Sequence, residues 1–466
     1  MKQLWFAWVL FLGVATVQAR GVTVPPFERV VLPNGATVLL MARHDVPLIA
    51  FEAIVRGGSI EDPRQRDGTA SLLANLLEKG AGQRDAFEFA DTVDRVGGRL
   101  DTQAQREFVS ISGSFLAHDQ QLMIELLADM LQRPQLRGDE FEKLRARQIE
   151  FLRAAKDSDL AGLVSVYANT AVLPQHPYGR PVSGSEGSLP RVTLEDVHTY
   201  YTQQFGADRL ILSVVGDFEP RVMKRLLARA LGNWRRAPAT LPTVSDPVAP
   251  STRQVLLIDA PGSTQSYFWL GSVGVAKTDH RRAALDAINA VFGGRFTSLL
   301  NVELRIESGL TYGARSRFER LAHPGFWSIS SYTRTQTTTA AIDKALDVLQ
   351  RLHTDGLSES ELASGRQYVQ GQFPLALETA EDWAGMLGQI ELYGLDRSYV
   401  EGYFDALDRI DVATARDAIE TAFPPRERLQ LVVIGPANQI REALRKYGPL
   451  QEMKLKDPEF TPGARP

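Results

Sequence analysis

Seven histidines (His44, His118, His176, His198, His280, His323 and His353) and no cysteine make up the chain's stock of strong soft-metal donors. No two of these histidines lie within five residues of each other, so neither a helical nor a hairpin His pair exists. A zinc site would need scattered residues brought together by the fold. Ser71 is a candidate nucleophile, but a serine needs a base within hydrogen-bond reach, and no histidine is near it in sequence. Gly-x-Ser-x-Gly is not met at any strand-to-helix turn; Gly184-Ser185-Glu186-Gly187 comes close, but in a loop rich in Pro, Gly and Ser. Two other groups could act on a ligand. Arg305 and Tyr312 carry a guanidinium and a phenol, both hydrogen-bond donors. Spacing alone fits equally a surface arginine bonded to Glu303 or Glu307 beside a core tyrosine. Gly293 and Gly294, within Phe292-Gly-Gly-Arg-Phe296, would let a backbone approach a ligand closely, or would simply cap a helix.

The elements that must hold these residues come in two copies. Phe108-Val-Ser-Ile-Ser112 recurs as Phe326-Trp-Ser-Ile-Ser330, Leu131-Gln-Arg133 as Leu349-Gln-Arg351, and Leu210–Gly216 as Leu429–Gly435, at nearly constant offset. In the first half, Phe27–Met41, with a turn at Pro33-Asn34-Gly35, and Leu48–Arg56 are expected strands. Thr69–Lys79 and Phe87–Val96 are expected helices, Gly97–Ser114 a hairpin-like pair, His118–Leu131 and Asp139–Ala155 helices, and Leu210–Val215 a buried strand. Strands and helices mix without strict alternation, so the class is α+β: two homologous sandwich domains with largely antiparallel sheets and flanking helices. The expected organisation is 20–235 and 253–452 as domains, 236–252 as a mobile linker marked by Pro238, Pro242, Pro247 and Pro250, and 453–466 as a tail. A chain of 466 residues is too long for one core, which agrees with two.

Lys2, the apolar run Leu4–Val17 and Val17-Gln18-Ala19 read as a signal peptide cleaved after Ala19, which implies a periplasmic or secreted protein. No other run approaches membrane-spanning length. The net charge of -4 gives no sign of nucleic-acid or anionic-lipid binding.

Gly68-Thr-Ala-Ser-Leu-Leu-Ala-Asn75 resembles the inverted zinc motif, G-T-A-H-x-x-E-H, of pitrilysin/insulinase-type metallopeptidases. His176–Gly184, Leu210–Asp217, Phe292–Ser298 and Leu304–Tyr312 resemble further stretches of the same family, in order over nearly all of the chain. The short two-domain subunits of mitochondrial processing peptidase type are the most similar form. The motif departs at each chemical position: Ser71 and Asn75 stand where the resemblance implies histidine ligands, and Ala74 where it implies the glutamate base. Counting on from Asn75 by the family's spacing reaches Phe151 for the third ligand, which has no donor atom. The resemblance thus implies a chain without its own metal, a half of a clamshell. It implies a heterodimer with an H-x-x-E-H paralogue that holds the zinc, and peptide substrates contacted by Arg305, Tyr312 and the Gly293-Gly294 turn. The rival implications are a scaffold pseudopeptidase and a stand-alone peptide clamp. The strand pair Asp101–Ser112 could also add a peptide at its edge, with Phe108 and Ile111 as sheet core.

Overall fold

The computed structural model describes residues 21–463, and the expected signal segment 1–19 lies outside them. Two six-stranded mixed sheets repeat one plan. The first contains β1 (Glu28–Val31), β2 (Thr37–Ala42), β3 (Leu48–Arg56), β4 (Arg99–Ala104), β5 (Phe108–Leu116) and β6 (Leu210–Gly216), in the order β1-β2-β6-β3-β5-β4. The second contains β7 (Val255–Asp259), β8 (Gln265–Val273), β9 (Ala314–Glu319), β10 (Phe326–Arg334), β11 (Gln430–Gly435) and β12 (Leu450–Lys454), in the order β12-β7-β11-β8-β10-β9. Each is largely antiparallel around a parallel pair, β2 with β6 and β7 with β11. The outermost strands differ: β1 enters from the chain start antiparallel to β2, whereas β12 returns from the chain end parallel to β7.

The repeated Phe-x-Ser-Ile-Ser stretch shows why the strands form. Side chains alternate between faces, so Val109, Ile111 and Phe115 enter the core while Ser110, Ser112 and Ser114 line the other face. In β10, Trp327 and Ile329 point inward and Ser328, Ser330 and Tyr332 take the opposite face. Helices cover the inner faces. In the first half, α1 (Thr69–Leu77), α2 (Ala86–Arg95), α3 (Gln120–Gln132) and α4 (Gly138–Ser158) precede α5 (Leu160–Val172), α6 (Leu194–Gln204) and α7 (Pro220–Leu231). In the second, α8 (Arg282–Asn289), α9 (Thr338–Asp355) and α10 (Glu359–Gln372) precede α11 (Ala380–Leu392), α12 (Val412–Ala422) and α13 (Ala437–Leu444).

One helix from each half crosses over. α5 lays Leu163, Val164 and Tyr167 against Trp269, Val432 and Ile434 of the second sheet. Its counterpart α11 lays Trp383, Ala384 and Leu387 on Ile54, Ile211 and Val215 of the first. The exchange buries the central strands β6 and β11 on both faces, which is why they are almost wholly apolar, with only the buried Ser213 and Gln430 as polar side chains.

The segment 236–252 has no regular structure, as its prolines imply, but it is pinned rather than free. Arg209 donates to the Ala239 carbonyl at 3.0 Å, His176 Nε2 meets the Ser245 carbonyl at 2.9 Å, His323 Nδ1 meets Asp246 at 2.6 Å, and Gln430 donates to the Thr252 carbonyl at 2.9 Å. The boundary expected at residue 452 falls inside β12. The residues after it fold back on the first half. Lys156 Nζ donates to the Asp457 carbonyl at 2.7 Å, Gly187 N to that of Pro458 at 3.0 Å, and Phe460 packs edge-on against Tyr167. Among the described residues no helix is long and apolar enough to cross a membrane.

Candidate functional site

The helix that carries Ser71, Ala74 and Asn75 is α1, and its start is built tightly. The Asp62 carboxylate accepts the Gly68 and Ala70 N–H groups, both at 2.8 Å, and burial pushes its pKa up to about 7. Gly68 has φ 99°, and a Cβ there would sit 3.1 Å from Gly184, so only glycine lets the two loops meet. Within His176–Gly184, Arg180 donates to the carbonyls of Asp62 and Pro63 at 2.8 Å and pairs with Asp67. The conspicuous His-Pro-Tyr-Gly-Arg-Pro stretch is thus a brace for α1.

On α1 itself, Ala74 is fully buried and Ser71 and Asn75 are half-buried. The Ser71 hydroxyl accepts from Gln148 Nε2 at 3.3 Å, and Gln148 also donates to the Ser183 carbonyl at 2.6 Å. No histidine stands behind Ser71 to serve as base. Ser185, the other serine singled out, is fully buried, donates to Glu459 and accepts from Ser188 N at 2.8 Å, a structural role. Phe151 is 71% exposed on α4 and is not the residue facing α1. That residue is Gln148, nearly one helical turn earlier. Counting along the sequence missed it; the buried Phe141, Leu144 and Leu152, with the half-buried Gln148 between them, mark the facing side of α4. A hydroxyl and two amides with an alanine in the base position do not fit zinc. Among the described residues no three His, Cys, Asp or Glu side chains cluster as a metal site.

The second half holds a different arrangement. Arg305 sits on the wide helical turn Val302–Glu307, anchored by the fully buried Leu304. Tyr312 tops a loop closed from both sides. Leu310 N donates to the Leu304 carbonyl at 2.8 Å, Thr333 Oγ1 to that of Leu310 at 2.7 Å, and Ser331 Oγ to that of Gly313 at 2.9 Å. The loop aims Tyr312 outward, leaving it 77% exposed. The Arg305 guanidinium lies 5.6 Å from the Tyr312 ring and 4.6 Å from that of Phe296, itself 61% exposed. The alternative of an arginine tied to Glu303 fails, because Glu303 is taken by Lys344 and Arg351. Tyr312 is likewise no core residue. Phe296 was passed over as a ligand group because nothing in its sequence neighbourhood shows that it flanks Arg305. A cleft of about 440 Å³ opens beside the pair, lined by Gln265, Tyr332, Thr333 and Arg334.

The two glycines part ways. Gly293 is buried, and a Cβ there would meet Ser316 Oγ at 2.5 Å and Leu300 at 2.7 Å. Its lack of a side chain serves helix-to-strand packing, which corrects the expectation that it approaches a ligand. Gly294 is exposed.

The duplicated sheets with exchanged helices, a metal-helix position without donors and an exposed Arg/Tyr pair define a peptidase-like shell. Family models match in two adjoining blocks: "Insulinase (Peptidase family M16)" over residues 38–186 and "Peptidase M16 inactive domain" over 191–369. The chain belongs to the M16 peptidase family, and the inactive-domain match beside a donor set that does not fit zinc supports a non-catalytic M16-like protein. It is 24% identical to an "uncharacterized zinc protease" of Streptomyces coelicolor, over 88% of this chain and 89% of the relative. It is 22% identical to a "non-peptidase homolog" of Helicobacter pylori, over 89% and 95%. The fold is shared with a peptidase M16 inactive domain from Pseudomonas fluorescens (TM-score 0.82, 22% identity, 88% and 98% covered). It is shared also with a protease from Helicobacter pylori (TM-score 0.82, 20% identity, 88% and 100% covered).

Proposed function

We propose that this chain is the non-catalytic, substrate-binding subunit of a heterodimeric zinc peptidase, exported by its N-terminal segment to a periplasmic or extracellular space. A paralogue with an intact H-x-x-E-H helix supplies zinc and hydroxide; this chain supplies Arg305 and Tyr312 to the peptide backbone. The observation that carries the reading is the Arg305 guanidinium. It has no carboxylate partner among the described residues, lies near two exposed rings and lines an open cleft. A side chain held in place by packing, with its donors unspent, suits a ligand carbonyl or developing oxyanion. Gly294 is exposed and stays in this reading as a backbone contact, and the edge strand β4 offers a second place for an extended peptide. The test is complementation: the purified chain alone hydrolyses no peptide, and adding it to the zinc-bearing paralogue raises turnover strongly. Equal turnover with and without this chain contradicts the reading.

A further inference from the structure

Sheet register carries the Arg305 cleft onto a wider surface. In β9 and β10, Arg315 stands opposite Ser330 and Arg317 opposite Ser328. Between β8 and β10, Tyr332 stands opposite Tyr267, and Arg334 opposite Gln265. Directly opposed residues share a face, as do alternate residues along a strand. Arg317, Arg315, Tyr332 and Arg334 therefore form one strip on the side of the sheet that α5 covers only nearer its centre. Successive same-face rows are about 7 Å apart, so the strip runs roughly 20 Å and ends at the cleft that Arg305 enters. Arg315, Arg317 and Arg334 are exposed, and among the described residues none of these three, nor Arg305, makes an ion pair or a side-chain hydrogen bond. No Asp or Glu lines the cleft.

The duplicated sheet shows that the charge is not a requirement of the fold. The position equivalent to Arg315 is Asp101, opposite Ser112, and the one equivalent to Arg317 is Gln103, opposite Ser110. One serine row thus carries opposite charge in the two halves, and the other is charged only in the second. Nor does the strip serve strand addition. At the free edge of β9, Ala314 N donates to Asn301 Oδ1 at 2.9 Å and the Ser316 carbonyl accepts from Asn289 Nδ2 at 3.1 Å. A ligand there must lie on the face and be held by side chains.

We propose that this strip recognises an acidic peptide segment, with carboxylates on alternate residues meeting Arg315 and Arg317 while Arg305 and Tyr312 hold the backbone beyond. The inference rests on the peptide-binding reading above and adds the substrate class. An extended chain repeats its same-face side chains at the spacing of the arginines, and guanidinium matches carboxylate in a two-pronged geometry. A peptide is favoured over a nucleic acid because the strip is short and the whole chain is net negative, at -4, which opposes a long polyanion.

The test uses fluorescence anisotropy with the purified chain at low salt. The probes are a short Glu-Thr repeat peptide, its Gln-Thr counterpart and a thymidine oligonucleotide. The Glu peptide is expected to bind at least about tenfold tighter than the Gln peptide, with the preference weakened by salt. R315A/R317A is expected to abolish that preference. Both positions are exposed, and R315Q/R317Q, with an unchanged melting curve, controls for folding. Equal binding of the two peptides, or a preference that survives both variants, overturns the acidic class and leaves peptide binding standing. Binding of neither peptide overturns the peptide reading as well. Arginine-dependent binding of the oligonucleotide above the Glu peptide overturns the choice of a peptide ligand.

Discussion

The two halves fold alike and differ in how they hold the residues that could do chemistry. The first half turns its special helix inward: α1 is capped by Asp62, braced by Arg180 and packed through Leu72, Leu73, Leu76 and Leu77. The second half turns its special loop outward, with Arg305 and Tyr312 unspent beside a cleft. A duplicated fold thus keeps its core pattern in both copies while chemistry on the solvent side diverges, because the core face fixes the strands and the other face is free to change.

The sharpest way to break this contrast is to place one charge in each half. Ala74→Glu buries a carboxylate in a packed helix and is expected to cost about 4 kcal/mol or more, or to prevent folding. Ile306→Glu, on the exposed side of the Arg305 turn, is expected to change stability by less than about 0.5 kcal/mol. Equal melting temperatures for the two variants would remove the inward–outward distinction.

The exchanged helices can be probed through pH. Glu52 lies on the first sheet beneath α11, where burial first and Asp101 second push its pKa from 4.5 up to about 7. The folded state therefore holds a proton that the unfolded chain has released. Stability is expected to fall as pH rises from about 4.5 to 7, by about 3 kcal/mol, and to level off above. Denaturant titrations across that range check it, and Glu52→Gln should flatten this contribution. A slope unchanged in the variant would show that Glu52 ionises without cost.

Smaller effects are expected from two glycines of α11. A Cβ at Gly388 would sit 2.9 Å from Ile54 Cδ1, so Gly388→Val should cost about 1–3 kcal/mol. Gly385 has nothing within 4 Å, so Gly385→Ala should stabilise by about 0.5–1 kcal/mol. The same sign for both in thermal unfolding would contradict the seating of α11 on the first sheet. The smallest expected change follows a cut between residues 240 and 251. Since α5 and α11 are exchanged, the nicked halves should co-elute in gel filtration; separate elution would show that the chain link alone holds them.

Much of this was legible in the sequence. Strand β3 spans Leu48–Arg56 as expected, α1 starts at Thr69, and the Phe-x-Ser-Ile-Ser repeat marks equivalent strands. The helix exchange was not legible, because an apolar stripe such as Leu163, Val164 and Tyr167 shows that a helix is buried and not which sheet buries it. The partner of Ser71 was missed by counting to Phe151, since a fixed spacing does not survive small length changes between helices. The arginine strip escaped because Arg305, Arg315, Arg317 and Arg334 are dispersed in a chain of net charge -4 and meet only through register.

The central claim is that the second half contributes donors to a reaction whose metal lies elsewhere. The direct measurement is kcat of the zinc-bearing paralogue mixed with this chain carrying Arg305→Ala/Tyr312→Phe, against the chain carrying Ser71→Ala/Asn75→Ala, with assembly checked for each. Loss of one transition-state donor costs roughly 10²–10³ in rate, so the first mixture is expected to fall at least that far while the second keeps its activity. Full activity with the Arg305/Tyr312 variant, or its loss with the Ser71/Asn75 variant, would contradict the claim.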